Sequence, residues 1–509
     1  MAIRKQAIIS SILVYIGFFI GAINTYFFVK NGSFTTAEYG LTRLFFDVAQ
    51  NFYAFGCLGM IPVIYKFYPY YKDNLAKKDN DLLTWALVTA LIGFVLLLVL
   101  GLAMEPLIIR KFSARSMLFV QYFHWVFPFS FGLLFFSVIE AWSWALKKTV
   151  LSNFLKETAL RIITLVFILL YYFGLIGFDS FIKLFSLLYF LVFLILLFYL
   201  VSIGEFHITF RLSRVSRKFY RKMFAMQSLV FGGVVVQTIG ITIDTLMIAS
   251  LRGIGLAGVF NLAQYVANLI QIPQRSVQSI STGVISQHWK DKNYAEINRI
   301  YKRSSINLLI MALFIYGGIV LNVNDMFLVL PIQQEYKAGI MVMLVMGVAR
   351  IIDAGTGVNG IIIATSNFWR FDFLSGVIML AIRIPVTYYL IKTYGIVGSA
   401  FAEVFAYGVY NFIRFEFLRR RFNMQPFDRN TVYAILLAAL GFGAAWLAGS
   451  WISADAWLRI IVQSLVFTLV YLGGVFRMEL SPDVMQLYHR WVARRYAGGG
   501  RREKIGGRN

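Results

Sequence analysis

Arginine and carboxylate pairs at helical spacing interrupt an otherwise apolar chain. Arg43 and Asp47 stand four residues apart, as do Glu157 and Arg161, while Arg350 and Asp353 stand three apart. On a helix these spacings put both partners on one face. An ionised side chain inside a membrane is costly enough that it pairs or serves a transport route. Each pair thus either neutralises itself and pins helix to helix, or lends charge to a solute pathway.

Arg383 has no acid within four residues on either side. A guanidinium so placed requires an anion from another helix or from a ligand, and its planar fork suits phosphate. It is the first candidate for substrate contact. Arg275, just after Pro273, either lines the same route or extends to the membrane surface. Asp244 has no basic residue within four positions. It would bind a proton or sodium ion, or pair with an arginine of another span. Asp47, Asp353 and Glu140 are the further coupling-ion candidates, Glu140 also having Lys147 and Lys148 close by in the chain. His124, beside Trp125 and ahead of Pro128, is expected to pack rather than to relay protons. The motifs of soluble enzyme sites (P-loop, dinucleotide fingerprint, HExxH, GxSxG) do not occur. No catalytic residue, metal or cofactor is therefore expected, beyond H+ or Na+ coupling.

The elements that must hold these groups are membrane helices. Of 509 residues 59% are hydrophobic and only 14% charged, against roughly 25% charged in soluble proteins. Long continuous apolar runs, rather than segments of about ten alternating residues, exclude a transmembrane barrel. The net charge of +24 is spread over short loops between apolar runs. A nucleic-acid binder would gather it on a soluble module, so it orients the chain in the membrane instead. The single Cys57 allows no internal disulfide and suggests no metal site. Met1 to Lys5 resemble the basic start of a signal peptide, but the following apolar run is too long and lacks a cleavage site. An uncleaved first helix is expected.

Fourteen spans are predicted, centred near Phe18, Phe52, Gly93, Gly132, Phe167, Val192, Gly240, Asn268, Phe314, Asp353, Ala381, Phe405, Leu440 and Val470. Most of the 48 Lys and Arg then fall on the side of the two termini, which the positive-inside rule makes cytoplasmic. Residues 226–290 form a hairpin of two spans about the turn Arg252-Gly253-Ile254-Gly255. Its second span carries Asn261, Gln264, Asn268, Gln271 and Gln274, polar groups that lipid cannot satisfy. From Ser481 the tail reads as a basic amphipathic helix, with Trp491 and Val492 among Arg490, Arg494 and Arg495, lying on the anionic inner leaflet.

The chain also repeats itself. Ile139-Glu140-Ala141 is echoed by Ile352-Asp353-Ala354, and Ser152-Asn153-Phe154 by Ser366-Asn367-Phe368, at offsets of 213 and 214; Asn24-Thr25 matches Asp244-Thr245 at offset 220. The expected architecture is all-α: two pseudo-symmetric six-helix bundles plus two C-terminal helices. The boundaries are 1–203 for the first bundle, 204–225 for a basic cytoplasmic linker and 226–421 for the second bundle. The extra helices take 422–480 and the basic tail 481–509. Parallel repeats of this kind are a transporter architecture, with the substrate site between the halves.

Residues 36–66 (TAEYGLTRLFFDVAQNFYAFGCLGMIPVIYK), 255–290 (GLAGVFNLAQYVANLIQIPQRSVQSISTGVISQHWK) and 395–403 (GIVGSAFAE) carry a resemblance. The chain resembles the polysaccharide-export branch of the multidrug/oligosaccharidyl-lipid/polysaccharide (MOP) superfamily, the Wzx-type oligosaccharide flippases. That resemblance implies a non-enzymatic, alternating-access exporter in the bacterial cytoplasmic (inner) membrane. It would move polyprenyl-diphosphate-linked oligosaccharide to the outer leaflet for cell-surface polysaccharide, including lipopolysaccharide, beside glycan polymerase and chain-length machinery. It further implies that basic residues hold the diphosphate, which by position are Arg43, Arg161, Arg350 and Arg383. A multidrug/cation antiporter of the same superfamily would instead bind cargo through acids such as Asp244. A lipid II flippase is the nearer alternative, and a glycan polymerase or ligase is disfavoured by the short outer loops.

Overall fold

The computed structural model describes residues 2–452, 455–483 and 485. Lipid offers no hydrogen-bond partners, so a spanning backbone must satisfy itself within helices, and the described residues are helical throughout apart from connections. One isolated antiparallel bridge joins Lys30 and Ile332. In order, the helices are α1 (Ala2–Val29), α2 (Thr36–Gly56), α3 (Met60–Asn74), α4 (Leu82–Ala103), α5 (Glu105–Phe112), α6 (Met117–Tyr122) and α7 (Val126–Ala145). Then come α8 (Thr149–Asn153), α9 (Leu160–Tyr172), α10 (Phe178–Ser186), α11 (Leu188–Ser202), α12 (Arg214–Leu251), α13 (Ile254–Asn268) and α14 (Ile272–Lys290). The last seven are α15 (Tyr294–Val329), α16 (Ile340–Gly355), α17 (Asn359–Ala364), α18 (Trp369–Tyr394), α19 (Ile396–Phe422), α20 (Arg429–Ser450) and α21 (Ala456–Arg477).

All fourteen expected span centres fall in helical segments, but the span count is lower. Ten helices among the described residues are long and apolar enough to cross a membrane, or eleven if α2 and α3, bent by 48°, count as one. The other three expected spans fall on α1, on α8–α9 and on α13–α14. The described apolar part of α1 is the short stretch Ile16–Val29. The path from α8 to α9 passes through a π-helical turn, Phe154–Ala159. That from α13 to α14 passes through a 3-10 turn, Leu269–Gln271, and bears the run of Asn and Gln. Polar side chains lower the hydropathy of a helix whose polar face is turned inward, so such spans escape a composition test. The tail helix expected from Ser481 lies, beyond its first residues, outside the described residues.

The chain packs as two units. One comprises Met1–Asn261 with Ile332–Tyr336 and Ile391–Ile396; the other comprises Leu262–Pro331, Lys337–Leu390 and Val397–Asn509. In the first, α7 is central, against α2, α4 and α11, and α12 runs along α2 and α3. Helix ends are set locally. Thr35 and Glu38 form a capping box at α2, and Ser213 caps α12, satisfying backbone N–H groups that have no partner within the helix. The expected hairpin turn is present, with Gly253 at φ +107°, a conformation only glycine adopts freely. Nearby, α2 and α13 touch backbone to backbone. A methyl on Gly40 would strike the Ile254 carbonyl, and one on Gly258 the Thr36 carbonyl.

In the second unit α15 packs against α16, α20 and α21. The rings of Phe314, Phe467 and Tyr471 lie nearly parallel to one another, with centroids 5.6 to 6.3 Å apart. Arg459 of α21 grips Asp325 of α15 through two guanidinium nitrogens, so the last helix is fastened by a bidentate ion pair as well as by its rings.

Candidate functional site

Ionisable groups gather inside each unit, and each cluster is built from residues distant in the chain. In the first unit, α2 and α12 face one another through polar side chains. Asn51 donates to the Thr242 hydroxyl at 2.9 Å. Asp47 accepts from Thr245 and lies within electrostatic range of both Arg43 and Asp244. Asp244 is almost fully buried, and Asn261 of α13 reaches Thr245. Asp47 and Asp244, two of the expected coupling-ion candidates, thus lie within electrostatic range of each other across α2 and α12. Arg43 and Asp47 do not form the expected self-neutralising pair, because no ion pair of Arg43 occurs within 4 Å among the described residues. The Arg43 guanidinium lies 5.8 Å from the Phe46 ring centre, and its buried Nε has no hydrogen-bond acceptor.

A second group in this unit centres on the π-helical turn. The expected Glu157–Arg161 pair is present at 3.3 Å. The Arg161 side chain lies against Gly17 and Gly21 of α1 and over Phe18 at 5.1 Å, while its carbonyl accepts from Asn24 at 2.8 Å. One terminal nitrogen, Nη1, is buried with no acceptor. Glu140 is paired with Lys156, at 2.9 Å, rather than with Lys147 or Lys148. The latter turns to Glu205. The π turn carries Lys156 toward α7, which spacing along the chain could not reveal. Tyr189 stands within electrostatic range of Glu140, Glu157, Arg161 and Arg43, so these groups share one region of the unit. His124 departs from expectation. Its side chain is 61% exposed and points to Glu105 at 3.4 Å, because the chain breaks into a short 3-10 turn, Phe123–Trp125, before α7 begins.

In the second unit the centre is Glu403 of α19, which sequence reasoning missed. Arg350 of α16 donates to its Oε1 at 2.8 Å, both side chains being only 4% exposed. Arg383 of α18 lies 4.0 Å from the same oxygen. The acid that Arg383 lacks within four residues is therefore supplied by α19, and Arg350 pairs with it rather than with Asp353. Arg350 also lies over the Tyr407 ring at 5.0 Å, yet its buried Nε and Nη1 have no acceptor. Asp353 takes its bonds from carboxamides instead. Gln271 and Gln274 donate to Oδ2 at 3.1 and 2.9 Å, and Asn411 to Oδ1 at 3.2 Å. Asn411 in turn accepts from Thr356 and Asn359. Two of the five polar residues singled out in the hairpin's second span thus serve this carboxylate. Arg275, the residue after Gln274, is exposed and makes no hydrogen bond or ion pair among the described residues.

The available signals were partial. Glu403 ends the stretch 395–403 and is an acid in the middle of an apolar run, the same ground on which Asp244 was selected. Arg414 and Asp372, joined at 2.8 Å between α19 and α18, are 42 residues apart and had no local signature. No group of three or more His, Cys, Asp or Glu side chains able to hold a metal ion occurs among the described residues.

No protein-family model matches the chain, and no curated protein matches it by sequence. Solved structures do match. The chain is similar to the lipid II flippase MurJ in an inward closed conformation, with a TM-score of 0.71 at 16% identity, over 93% of this chain and 99% of that one. It is similar to an inward-facing multidrug resistance MATE family transporter of the MOP superfamily, with a TM-score of 0.63 at 13% identity, over 81% and 98%. The Vibrio cholerae MATE transporter VcmN in the bent form aligns with a TM-score of 0.52 at 12% identity, over 92% and 99%. The all-helical chain thus has the fold of these transporter structures, and its apolar helices make it a multi-pass membrane protein.

Proposed function

We propose that the protein is a flippase for an anionic, lipid-linked glycan, moving a polyprenyl-diphosphate oligosaccharide from the inner to the outer leaflet of a bacterial cytoplasmic membrane. The observation that carries this is the set of buried guanidinium N–H groups without acceptors, on Arg43, Arg161 and Arg350. A buried donor left unsatisfied costs about 1–3 kcal/mol, and a diphosphate offers acceptors of the right charge. Arg383, beside Glu403, is a further candidate in the second unit, and exposed Arg275 serves as an approach residue. The fold likeness to a lipid II flippase supports a lipid-linked cargo, but fold alone does not choose the glycan. Coupling to H+ or Na+ through Asp47 and Asp244 fits two carboxylates within electrostatic range of one another. Asp353 is less suited, its oxygens being occupied by carboxamides, and Glu140 is engaged by Lys156.

A diphosphate headgroup carries charge outward, which a potential negative inside favours by about 2.3 kcal/mol per charge per 100 mV. The test uses proteoliposomes with a fluorescent polyprenyl-diphosphate oligosaccharide, following outer-leaflet exposure under an imposed potential. Wild type is expected to flip in a potential-dependent way, and Arg43→Gln and Arg383→Gln to lose most of the rate while remaining folded. A protein that moves no glycolipid but exchanges protons for organic cations would overturn the proposal in favour of the antiporter.

A further inference from the structure

At one end of the second unit, the start of α18 and the end of α19 lie side by side. Phe371 stacks on Phe417 at 4.1 Å, their planes 17° apart. With Phe412 they wall an open groove of about 470 Å3, at whose rim stand Glu416, Arg420 and Arg421. Phe412 is 62% exposed and the Arg420 side chain 79%, so neither is spent on internal packing. Arg419 and Arg420 share Glu416. Arg421 has no carboxylate partner among the described residues, and its guanidinium lies over Phe368 at 5.4 Å. Three consecutive guanidiniums are therefore offset by one carboxylate, which two of them share, and the rim is left positive.

An apolar wall running into a cationic rim at the end of a spanning helix matches a lipid in both its parts. Phenyl faces accept an acyl chain, and an arginine fork accepts a phosphodiester. A zwitterionic lipid carries its own ammonium beside the phosphate and so gains less from a positive rim. We infer that this groove is a binding site for an anionic phospholipid of the leaflet at the basic, cytoplasmic side. The headgroup phosphate sits on Arg420 and Arg421, and one acyl chain lies along Phe371, Phe412 and Phe417. None of the interior arginines takes part, so the inference stands apart from the flippase proposal.

The test uses the full chain with phosphatidylglycerol bearing a photoactivatable acyl chain, mapping labelled peptides by mass spectrometry and titrating bound lipid by native mass spectrometry. Labelling is expected on peptides holding Phe371, Phe412 or Phe417. The double variant R420Q/R421Q is expected to bind phosphatidylglycerol roughly thirty-fold more weakly, as two surface cations predict. F412D is expected to lose the acyl-chain labelling with both arginines intact. These side chains are exposed, and a melting curve identifies a variant that fails to fold; F412D then carries the test alone. Equal labelling by a phosphatidylcholine probe, or unchanged binding in R420Q/R421Q, would overturn the inference. So would displacement by polyprenyl phosphate but not by phosphatidylglycerol, which would assign the groove to the transported lipid.

Discussion

Glu403 holds together the most buried charge in the second unit, and its loss would be felt first as instability. Glu403→Gln removes the negative charge that lies 2.8 Å from the Arg350 guanidinium in a site almost closed to solvent. Removing one member of a buried pair costs about 3–5 kcal/mol, so a marked fall in melting temperature of the detergent-solubilised protein is expected. Arg43→Gln is the contrasting case. Arg43 has no ion pair among the described residues and an Nε without acceptor, so its replacement removes an unsatisfied donor and is expected not to lower the melting temperature while reducing glycolipid flipping. A fall in melting temperature like that of Glu403→Gln would show that Arg43 is structural. Glu140 and Asp353 illustrate what spacing along a helix does not reveal. Both were recognised as interior acids, but their partners, Lys156 on the π turn and the carboxamides of Gln271, Gln274 and Asn411, depend on which helices meet.

Among the elements, the closest approach of α2 and α13 depends on glycine. Without side chains, Gly40 and Gly258 let two backbones touch, the way membrane helices gain packing when no hydrophobic effect drives them together. Gly40→Val and Gly258→Val are each expected to lower the melting temperature and the yield of folded protein. Gly233→Val on α12, where an added Cβ meets nothing within 4 Å, is expected to be tolerated. Equal tolerance of all three would show that the α2–α13 contact is unimportant. The π-helical turn acts at the same scale. By inserting one residue into the helical register, it aims Lys156 at α7 and Arg161 at α1, neither of which an uninterrupted α-helical reading of 149–172 would predict.

For the whole molecule, orientation is the property most directly tied to composition. The basic loops predict that residues near Lys218 face the cytoplasm and that the connection around Gln334 faces outward. In a Cys57→Ala background, an impermeant maleimide added to intact cells is expected to label Gln334→Cys and to spare Lys218→Cys until the membrane is opened. The reverse pattern would invert the topology and, with it, the direction of transport. Removing the only cysteine is compatible with folding because Cys57 is a small buried group with no disulfide.

Membrane insertion, helicity and the identity of most interior charges were legible in the chain itself. Each follows from local quantities: apolar run length, backbone hydrogen-bond demand in lipid, and the cost of charge at depth. Only the tertiary structure decided the pairings. Arg350 turned from Asp353, three residues away, to Glu403, 53 away, because electrostatic energy depends on distance in space and on burial, and helix packing sets both. A helix periodicity constrains which face a charge occupies, but not which helix that face will meet.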